Sequence, residues 1–379
     1  MLPEILKSEL VKNSSVIKKN TPAIFFSKNQ LVYNYIYFKE ALNFKDEDIF
    51  YSTKTNYESS VIEVLNDLNS NFEIASLGEL QIMQKHGIAS KRILFSNPVK
   101  IPSHINCAYK YGIKTFAFDT KSELEKIQIY APNSKVFLRL AIQNDGAEWK
   151  LEHKFGANKA EAVDLLALAK QYNLTPCGIS VHLGWNNHKV ENWSSALKKM
   201  EDILKKLAEN GISLEFINIG GGFPAHNINQ YKVLTEIAKA INPIFKRIKE
   251  KYALRIIAEP GSFMVANTAI LATEIYDIIQ RNSKQWIFAN TGIMQGFAWI
   301  LNNLKYNILH SSDLEKDTKE ISNFVLTGPT LDSHDVFSNS VSLPKTTQIG
   351  DILYVFPAGA YINSSKEYNK FPFPELKII

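Results

Sequence analysis

The chain has 379 residues, which exceeds the length at which a single hydrophobic core usually stops growing, and its 45% hydrophobic content is that of an ordinary globular protein. Its net charge of +5 arises from 43 basic and 38 acidic side chains spread along the whole length, which argues against the clustered basic surface of a nucleic-acid-binding protein. Cys107 and Cys177 suggest neither a disulfide framework nor a paired metal motif, and the charged N-terminal residues lack the apolar core of a signal peptide. We therefore expect a two-domain cytoplasmic protein that binds no metal, no nucleic acid and no membrane.

Two elements precede the repeated part of the chain. The segment PAIFFS (22–27) is apolar and short, which predicts a strand. The segment LVYNYIYFKEAL (31–42) has the spacing of a helix.

From residue 49 to residue 261 the sequence repeats one pattern: a short β-rich apolar run, a polar or glycine turn, and a helical stretch. The eight predicted strands are IFYSTKT (49–55), NFEIAS (71–76), RILFSN (92–97), KTFAFD (114–119), KVFLRLAI (135–142), CGISVHL (177–183), EFINIGG (215–221) and LRIIAEP (254–260). Helical stretches between them include AEAVDLLALAKQY and YKVLTEIAKAINPIFKRIKEKY. Because eight strand–helix units close most simply into a ring, the sequence predicts an α/β fold with a (βα)₈ TIM barrel over residues 28–262.

The pattern changes after residue 261. Strand-like segments such as AILATEIYDII, SNFVLTG and DILYVFP follow, with few strong helical patterns. These segments predict a second, mainly β domain over residues 263–379. We expect residues 1–27 to join it through the N-terminal strand.

Reactive side chains and glycines recur at the carboxyl ends of the predicted barrel strands, where the loops of a TIM barrel form one face. They are Lys54, Glu73, Arg139, His182, Gly220, Gly221, Gly222 and Glu259. A glycine run lets backbone N–H groups approach a phosphate, a desolvated lysine attacks aldehydes, and a buried carboxylate keeps a pyridine nitrogen protonated. Each residue alone is more often structural, as a solvated charge, a tight turn or a core histidine. Their convergence on one face favours an anionic cofactor that reacts through an amine.

The strings YSTKTN, FEIASLGEL, VHLG, INIGGGFP, IIAEPG, GPTLDSHD and GAY occur in the order seen in fold-type III pyridoxal-phosphate decarboxylases. The chain resembles the ornithine, diaminopimelate and arginine decarboxylase group over residues 49–361, and eukaryotic-type ornithine decarboxylases most closely. The pairing of INIGGGFP with IIAEPG is specific, whereas an isolated glycine run is not. The resemblance implies an alanine racemase-like barrel with a C-terminal β domain, and pyridoxal 5'-phosphate as the cofactor.

The resemblance also implies roles for individual residues around the cofactor. Lys54 would bind the cofactor covalently, His182 would stack on its ring and Glu259 would pair with the ring nitrogen. Further contacts are implied for residues that line the ring (Glu73 and Arg139) and for residues that contact the phosphate (Gly220, Gly221, Gly222 and Tyr361).

At the substrate end the resemblance implies an acidic residue, Asp332, within GPTLDSHD. Proteins of this group are homodimers with shared active sites, so the segment that carries Asp332 would reach into the partner's barrel. The expected ligand is a small-molecule amino acid or an intermediate that carries one.

Four positions depart from the group's pattern. Leu331 stands in place of a cysteine that protonates the carbanionic intermediate, and Thr291 in place of an aspartate that holds a distal ammonium. Ser262 stands in place of a phosphate-binding arginine, and Trp185 in place of a small hydroxyl residue near the phosphate. Thr291 and Leu331 change the substrate end, which speaks against a simple diamine product.

With these departures, the resemblance implies a carboxy-lyase that acts on an α-amino acid group of a larger intermediate, such as an aminocarboxypropyl group, because similar families with altered substrate ends act in nucleotide-peptide antibiotic or siderophore biosynthesis. One alternative is a diamine-forming ornithine or lysine decarboxylase of polyamine biosynthesis. A second alternative is a catalytically silent homologue that binds partners. A third alternative is a racemase with the same barrel, but the GPT and GAY segments favour a decarboxylase.

Overall fold

The computed structural model describes residues 2–142, 147–148, 154–225, 229–302, 304–314, 320–365 and 368–379. The chain divides into two compact units. One unit comprises residues 34–263, and the other comprises residues 1–33 together with 264–379. The predicted extent of the cofactor-binding barrel domain, residues 28–262, stays a prediction.

The elements of the described residues are numbered in chain order. The helices are α1 (Glu4–Lys12), α2 (Ser14–Lys18), α3 (Lys28–Ala41), α4 (Ser59–Asp67), α5 (Leu77–Lys85), α6 (Pro102–Tyr111), α7 (Lys121–Tyr130), α8 (Ala162–Gln171), α9 (Val190–Glu209), α10 (Gln230–Tyr252) and α11 (Ser262–Val265). The strands are β1 (Ala23–Phe26), β2 (Phe50–Ser52), β3 (Asn71–Ile74), β4 (Ile93–Phe95), β5 (Thr115–Phe118), β6 (Lys135–Arg139), β7 (Thr175–Ser180), β8 (Phe216–Asn218), β9 (Arg255–Ile257), β10 (Ala269–Arg281), β11 (Lys284–Ala289), β12 (Asn307–His310), β13 (Ile321–Thr327), β14 (Val336–Pro344), β15 (Ile352–Phe356) and β16 (Glu375–Ile378).

The unit of residues 34–263 is a closed barrel. Strands β2 to β9 pair in parallel in sequence order. A parallel bridge between Ile49 and Ala258 closes the ring, and Phe50 N donates to Ala258 O at 2.9 Å. The interior is filled by inward-facing side chains of seven strands: Phe50, Leu94, Ala117, Phe137, Cys177, Phe216 and Ile257. The predicted TIM barrel is confirmed, and each predicted strand overlaps an observed one.

Local sequence signals explain where the barrel helices begin and how they pack. Ser76 Oγ accepts from Glu79 N at 3.2 Å and so caps α5, as the serine and threonine preference for such positions predicts. In α10, apolar residues at helical spacing are buried, including Leu234, Ile237 and Ile241. The strands between such helices are buried on both faces, so they form continuous apolar runs.

The other unit is mainly β, as predicted. Its sheet has the order β12-β15-β10-β11-β13-β14, and β1 pairs with both β10 and β16. Phe25 lies opposite Ile270 in the antiparallel β1–β10 pair. The prediction that the N-terminal strand joins the C-terminal β domain is therefore confirmed.

Several elements of this unit were not predicted from the sequence. Helix α1 buries Leu6 and Leu10, which are spaced by four residues on one face. The sequence did not predict strand β11, because the first residues of this strand are polar and exposed. None of the helices in the described part of the chain combines the length and the apolar character that a bilayer crossing requires.

Candidate active site

The predicted site residues of the barrel unit lie at the carboxyl ends of the parallel strands. Lys54 is in a 3₁₀ turn (Thr53–Thr55) directly after β2, and Glu73 is on β3. Arg139 ends β6, and His182 follows β7. The glycine run at 220–222 follows β8, and Glu259 follows β9. The barrel therefore brings all of these residues to one end.

The setting of Lys54 differs from the one expected. The sequence suggested a lysine desolvated within an apolar strand. Instead the strand ends at Ser52, and the 3₁₀ turn buries Thr53 and Thr55 while Lys54 is exposed in this chain. Because alternate positions of the turn face the interior, its amine is accessible rather than buried.

Glu259 is a buried carboxylate with two neutral donors. Its Oε1 accepts hydrogen bonds from Ser96 Oγ and, at 2.7 Å, from Asn218 Nδ2. Burial, followed by repulsion from Glu73, raises the pKa of Glu259 to about 7, while the two hydrogen bonds and Lys54 oppose the rise. The side chain is thus fixed in position and poised between its two protonation states.

Ser96 and Asn218 were not singled out from the sequence. Both lie at the carboxyl ends of strands, Ser96 directly after β4 and Asn218 as the last residue of β8. The signal that picked out Glu259 was therefore present for them as well. Their uncharged side chains gave no chemical reason to select them.

His182 is held as a neutral ring. Burial, together with the positive charges of Arg139 and Lys54, lowers the pKa of His182 well below its ordinary value. Gly184 N donates to His182 Nδ1 at 3.2 Å, so in the neutral ring the hydrogen is on Nε2. A neutral imidazole with a defined tautomer can lie against an aromatic ring without adding charge.

The glycine loop after β8 has no room for side chains. Gly220 and Gly222 have φ values of +71° and +87°, which favour glycine. A Cβ on Gly220 would lie 2.1 Å from Val181 O, and one on Gly222 would lie 2.0 Å from Gly184 O. The loop backbone therefore packs directly on the loop that follows β7, which explains the need for glycine at both positions.

The remaining charges suit an ionic ligand. Glu73 is buried, and its Oε2 has no hydrogen-bond partner among the described residues. Burial, followed by repulsion from Glu73, raises the pKa of the neighbouring Glu79 to about 7. Burial lowers the pKa of Arg139, which the charges of Glu259, Asp119 and Glu73 raise. An exposed amine, a fixed carboxylate, a neutral imidazole and a glycine loop are the groups that pyridoxal phosphate requires.

The other predicted site residues lie in the mainly β unit. Thr291 is buried, and Tyr361 has a φ of +60° with its ring edge-on to Trp299 at 6.2 Å between centroids. Leu331 is 99% exposed. Asp332 accepts from the Tyr368 hydroxyl at 2.7 Å. The meeting of these residues with those of the barrel stays a prediction.

A barrel that gathers such groups at its carboxyl end defines a pyridoxal-phosphate enzyme. Residues 29–266 match the family model "Pyridoxal-dependent decarboxylase, pyridoxal binding domain". The chain belongs to this family of ornithine, lysine and arginine decarboxylases. The predicted family, cofactor and reaction class are confirmed, and the chain is a pyridoxal-phosphate-dependent carboxy-lyase.

Individual relatives differ in the substrates that their names give. The chain is 31% identical to the decarboxylase flvG of Aspergillus flavus over 327 residues, covering 82% of this chain and 75% of the relative. It is 30% identical to the lysine/ornithine decarboxylase of Selenomonas ruminantium over 353 residues, covering 93% and 88%. The crystal structure of the Paramecium bursaria Chlorella virus arginine decarboxylase bound to agmatine is similar, with 27% identity, a TM-score of 0.90, and coverage of 98% of this chain and 100% of that one.

Proposed function

We propose that this decarboxylase acts on an α-amino acid group carried by a larger, anionic intermediate, such as an aminocarboxypropyl group of a nucleotide-peptide antibiotic or siderophore pathway. The observation that carries the proposal is Thr291. It is buried, and its hydroxyl has no hydrogen-bond partner among the described residues, at a position where the related enzymes are expected to have an aspartate. A hydroxyl there offers a hydrogen bond but no charge to a distal ammonium.

The nearest buried carboxylate does not replace the missing one. Asp335 Oδ1 accepts from Ile293 N at 2.7 Å, and its Oδ2 accepts from Thr330 N and, at 2.6 Å, from Thr330 Oγ1. Both oxygens are therefore used to tie the two loops together. This leaves Asp332 as the carboxylate of this segment that can meet a substrate.

Asp332 itself is fully ionised at neutral pH. A hydrogen bond from His334 N, followed by one from the Tyr368 hydroxyl, lowers the pKa of Asp332 to about 2. A single carboxylate binds a distal ammonium less tightly than two do, because a desolvated charge that loses one partner typically costs several kcal/mol. The exposed side chain of Leu331 adds apolar surface next to it. Both features favour a substrate that is not a simple diamino acid.

The proposed roles of the barrel residues follow from their positions. When bound, pyridoxal phosphate supplies an aldehyde that condenses with amines and a ring that accepts the electron pair left when CO₂ departs. Lys54 would provide the amine that holds the cofactor and yields to the substrate amine. Glu259 would keep a proton on the ring nitrogen, and His182 would cover the ring as a neutral group. Leu331 carries no proton to donate, so the substrate carbon would receive its proton from water, His334 or Lys54.

The test compares kcat/KM for ornithine, lysine and diaminopimelate with kcat/KM for aminocarboxypropyl conjugates, including phosphate-linked ones. We expect the best conjugate to exceed ornithine by at least about a hundredfold, the equivalent of roughly 3 kcal/mol. Thr291→Asp should improve the use of ornithine, whereas Thr291→Val, which keeps the shape of threonine without its hydroxyl and adds no charge, should not. Turnover of free ornithine at a rate comparable to the best conjugate would refute the proposal.

A diamine-forming decarboxylase is the second candidate. The similarity to the lysine/ornithine decarboxylase of Selenomonas ruminantium and the ionised Asp332 favour it. In that case ornithine or lysine would be the best substrate and Asp332→Asn would raise KM for it, while Thr291→Asp would bring little gain.

A further inference from the structure

Trp185 and Ser262, two of the four positions that depart from the pattern of the group, are joined by a hydrogen bond. Trp185 follows β7 and Ser262 begins α11, 77 positions later. Trp185 Nε1 donates to Ser262 Oγ at 3.1 Å, and both side chains are buried. A buried indole N–H and a buried hydroxyl that satisfy each other form a defined pair rather than two independent substitutions.

This pair lies beside the glycine loop. Asn187 N donates to Gly222 O at 2.9 Å, and Ala225 N donates to Asn186 Oδ1 at 2.7 Å, so two hydrogen bonds join the residues after Trp185 to the glycine loop. Ser262 follows Gly261, and a Cβ added to Gly261 would lie 2.2 Å from Thr55 Oγ1. The pair therefore lies between the glycine loop and the turn that carries Lys54.

The described stretches that carry Trp185, the glycine run and Ser262 contain no permanent positive charge. Residues 181–188, 219–225 and 259–263, all of them described, include neither lysine nor arginine. In TIM barrels the loops after the seventh and eighth strands are a frequent phosphate site. A phosphate bound there would meet backbone N–H groups and uncharged side chains.

The direction of the hydrogen bond determines what Ser262 can offer. The indole N–H is a donor only, so Ser262 Oγ must be the acceptor. A hydroxyl that accepts in this way keeps its own hydrogen for another acceptor. A phosphate oxygen is such an acceptor, and a hydrogen bond to a charged group is among the stronger ones.

We propose that Trp185 and Ser262 are a coupled pair that holds the phosphate of the cofactor without charge, with Trp185 as the positioning residue and Ser262 as the donor. The affinity for the cofactor then depends on this hydrogen bond and only weakly on ionic strength, because no cation is desolvated against the phosphate. The proposal concerns the cofactor and is independent of the identity of the substrate.

The test measures cofactor binding rather than activity. Enzyme stripped of cofactor with hydroxylamine is titrated with pyridoxal phosphate and with pyridoxal, which lacks the phosphate, at low and at high salt. Trp185→Phe and Ser262→Ala should each weaken binding of pyridoxal phosphate about tenfold, leave pyridoxal binding unchanged, and show no additivity when combined. The wild-type affinity should change little with salt.

A second tryptophan provides the matched control. Trp193 is buried and stacks on Phe223, directly after the glycine loop, but its Nε1 has no hydrogen-bond partner among the described residues. Trp193→Phe should therefore leave the ratio of the two affinities unchanged. The double variant Trp185→Ser, Ser262→Arg should make binding of pyridoxal phosphate steeply salt-dependent. Equal losses of both ligands in Trp185→Phe and Ser262→Ala, or a steep salt dependence of the wild type, would overturn the proposal.

Discussion

At the scale of the residue, burial and the proposed role of Glu259 favour opposite protonation states. Burial favours its neutral form, whereas a role at a pyridine nitrogen needs the charged form. Ser96 and Asn218 both donate to the same oxygen, which partly stabilises the charge, yet the pKa of Glu259 stays raised to about 7. The cofactor-free protein therefore holds a carboxyl group whose ionisation costs stability.

This cost predicts a pH dependence of the cofactor-free protein. Between the ordinary value of 4.5 and about 7, the folded state holds a proton on Glu259 that the unfolded state has lost. Stability is therefore greatest below this range and falls as the pH rises through 7, by up to roughly 3 kcal/mol. Urea unfolding of the stripped enzyme at pH 5 and pH 8 should show this loss, and Glu259→Gln should reduce it.

Glu79 provides a check on that assignment, because its pKa is also raised to about 7. Glu79→Gln should remove a separate share of the loss. If the wild type and Glu259→Gln lose stability in parallel between the two pH values, the free energy does not come from Glu259.

A second prediction at this scale concerns the lysine that binds the cofactor. We expect the holoenzyme to be yellow, and borohydride reduction followed by peptide mapping to label Lys54. Lys54→Ala should lose the reducible absorbance band and the activity.

Lys100 is the other lysine that could react with the cofactor aldehyde in this experiment. Burial lowers the pKa of Lys100 to about 8, so its amine is unusually easy to deprotonate. Its Nζ, however, lies 2.8 Å from Glu123 Oε1 with no exposed side-chain surface. Label on Lys100, or on any lysine other than Lys54, would refute the assignment.

At the scale of the element, the carboxyl ends of the strands explain what could be predicted. The apolar runs gave the strands, and in a parallel barrel the strand ends meet on one face, so Lys54, Glu73 and Glu259 could be placed together without coordinates. The exposure of Lys54 could not be predicted, because it depends on a 3₁₀ turn that ends β2 early. Nor could the bond between Trp185 and Ser262, which joins loops far apart in sequence.

The loop between β13 and β14 carries one buried and one partly exposed carboxylate. Asp335 is buried, and a Cβ on Gly292 or Gly328 would lie within 2.4 Å of at least one of its carboxylate oxygens. Asp332, four residues before the start of β14, is partly exposed. These two acidic residues of one loop thus lie in different settings, and the sequence suggested a role only for Asp332.

This contrast predicts a clean separation of effects. Asp335→Asn should lower the free energy of unfolding by about 2 kcal/mol, because one oxygen that accepts from buried groups becomes a donor. Asp332→Asn should change stability far less, because its side chain is partly exposed, while it lowers kcat/KM. Urea unfolding and steady-state kinetics of both variants measure this. A large loss of stability in Asp332→Asn would mean that Asp332 also has a structural role.

At the scale of the whole molecule, Leu331 is 99% exposed next to the proposed substrate contact, and a second subunit that contacts the Asp332 segment would bury it. We propose a homodimer in which the Asp332 segment of one subunit completes the barrel site of the other.

Such shared sites can be tested by mixing inactive variants. In a hybrid of Lys54→Ala and Asp332→Ala subunits, one site has both defects, while the other combines an intact barrel with an intact Asp332 segment. Random exchange places half of the subunit pairs in hybrids with one good site each, so the mixture should recover about a quarter of the wild-type activity. The matched control is a mixture of Lys54→Ala with Glu259→Gln. Both defects lie in the barrel, so each site of that hybrid has one of them and no activity should return. If subunit exchange is demonstrated by mass spectrometry and the first mixture stays inactive, the sites are not shared. If both mixtures recover equally, the gain does not come from composite sites.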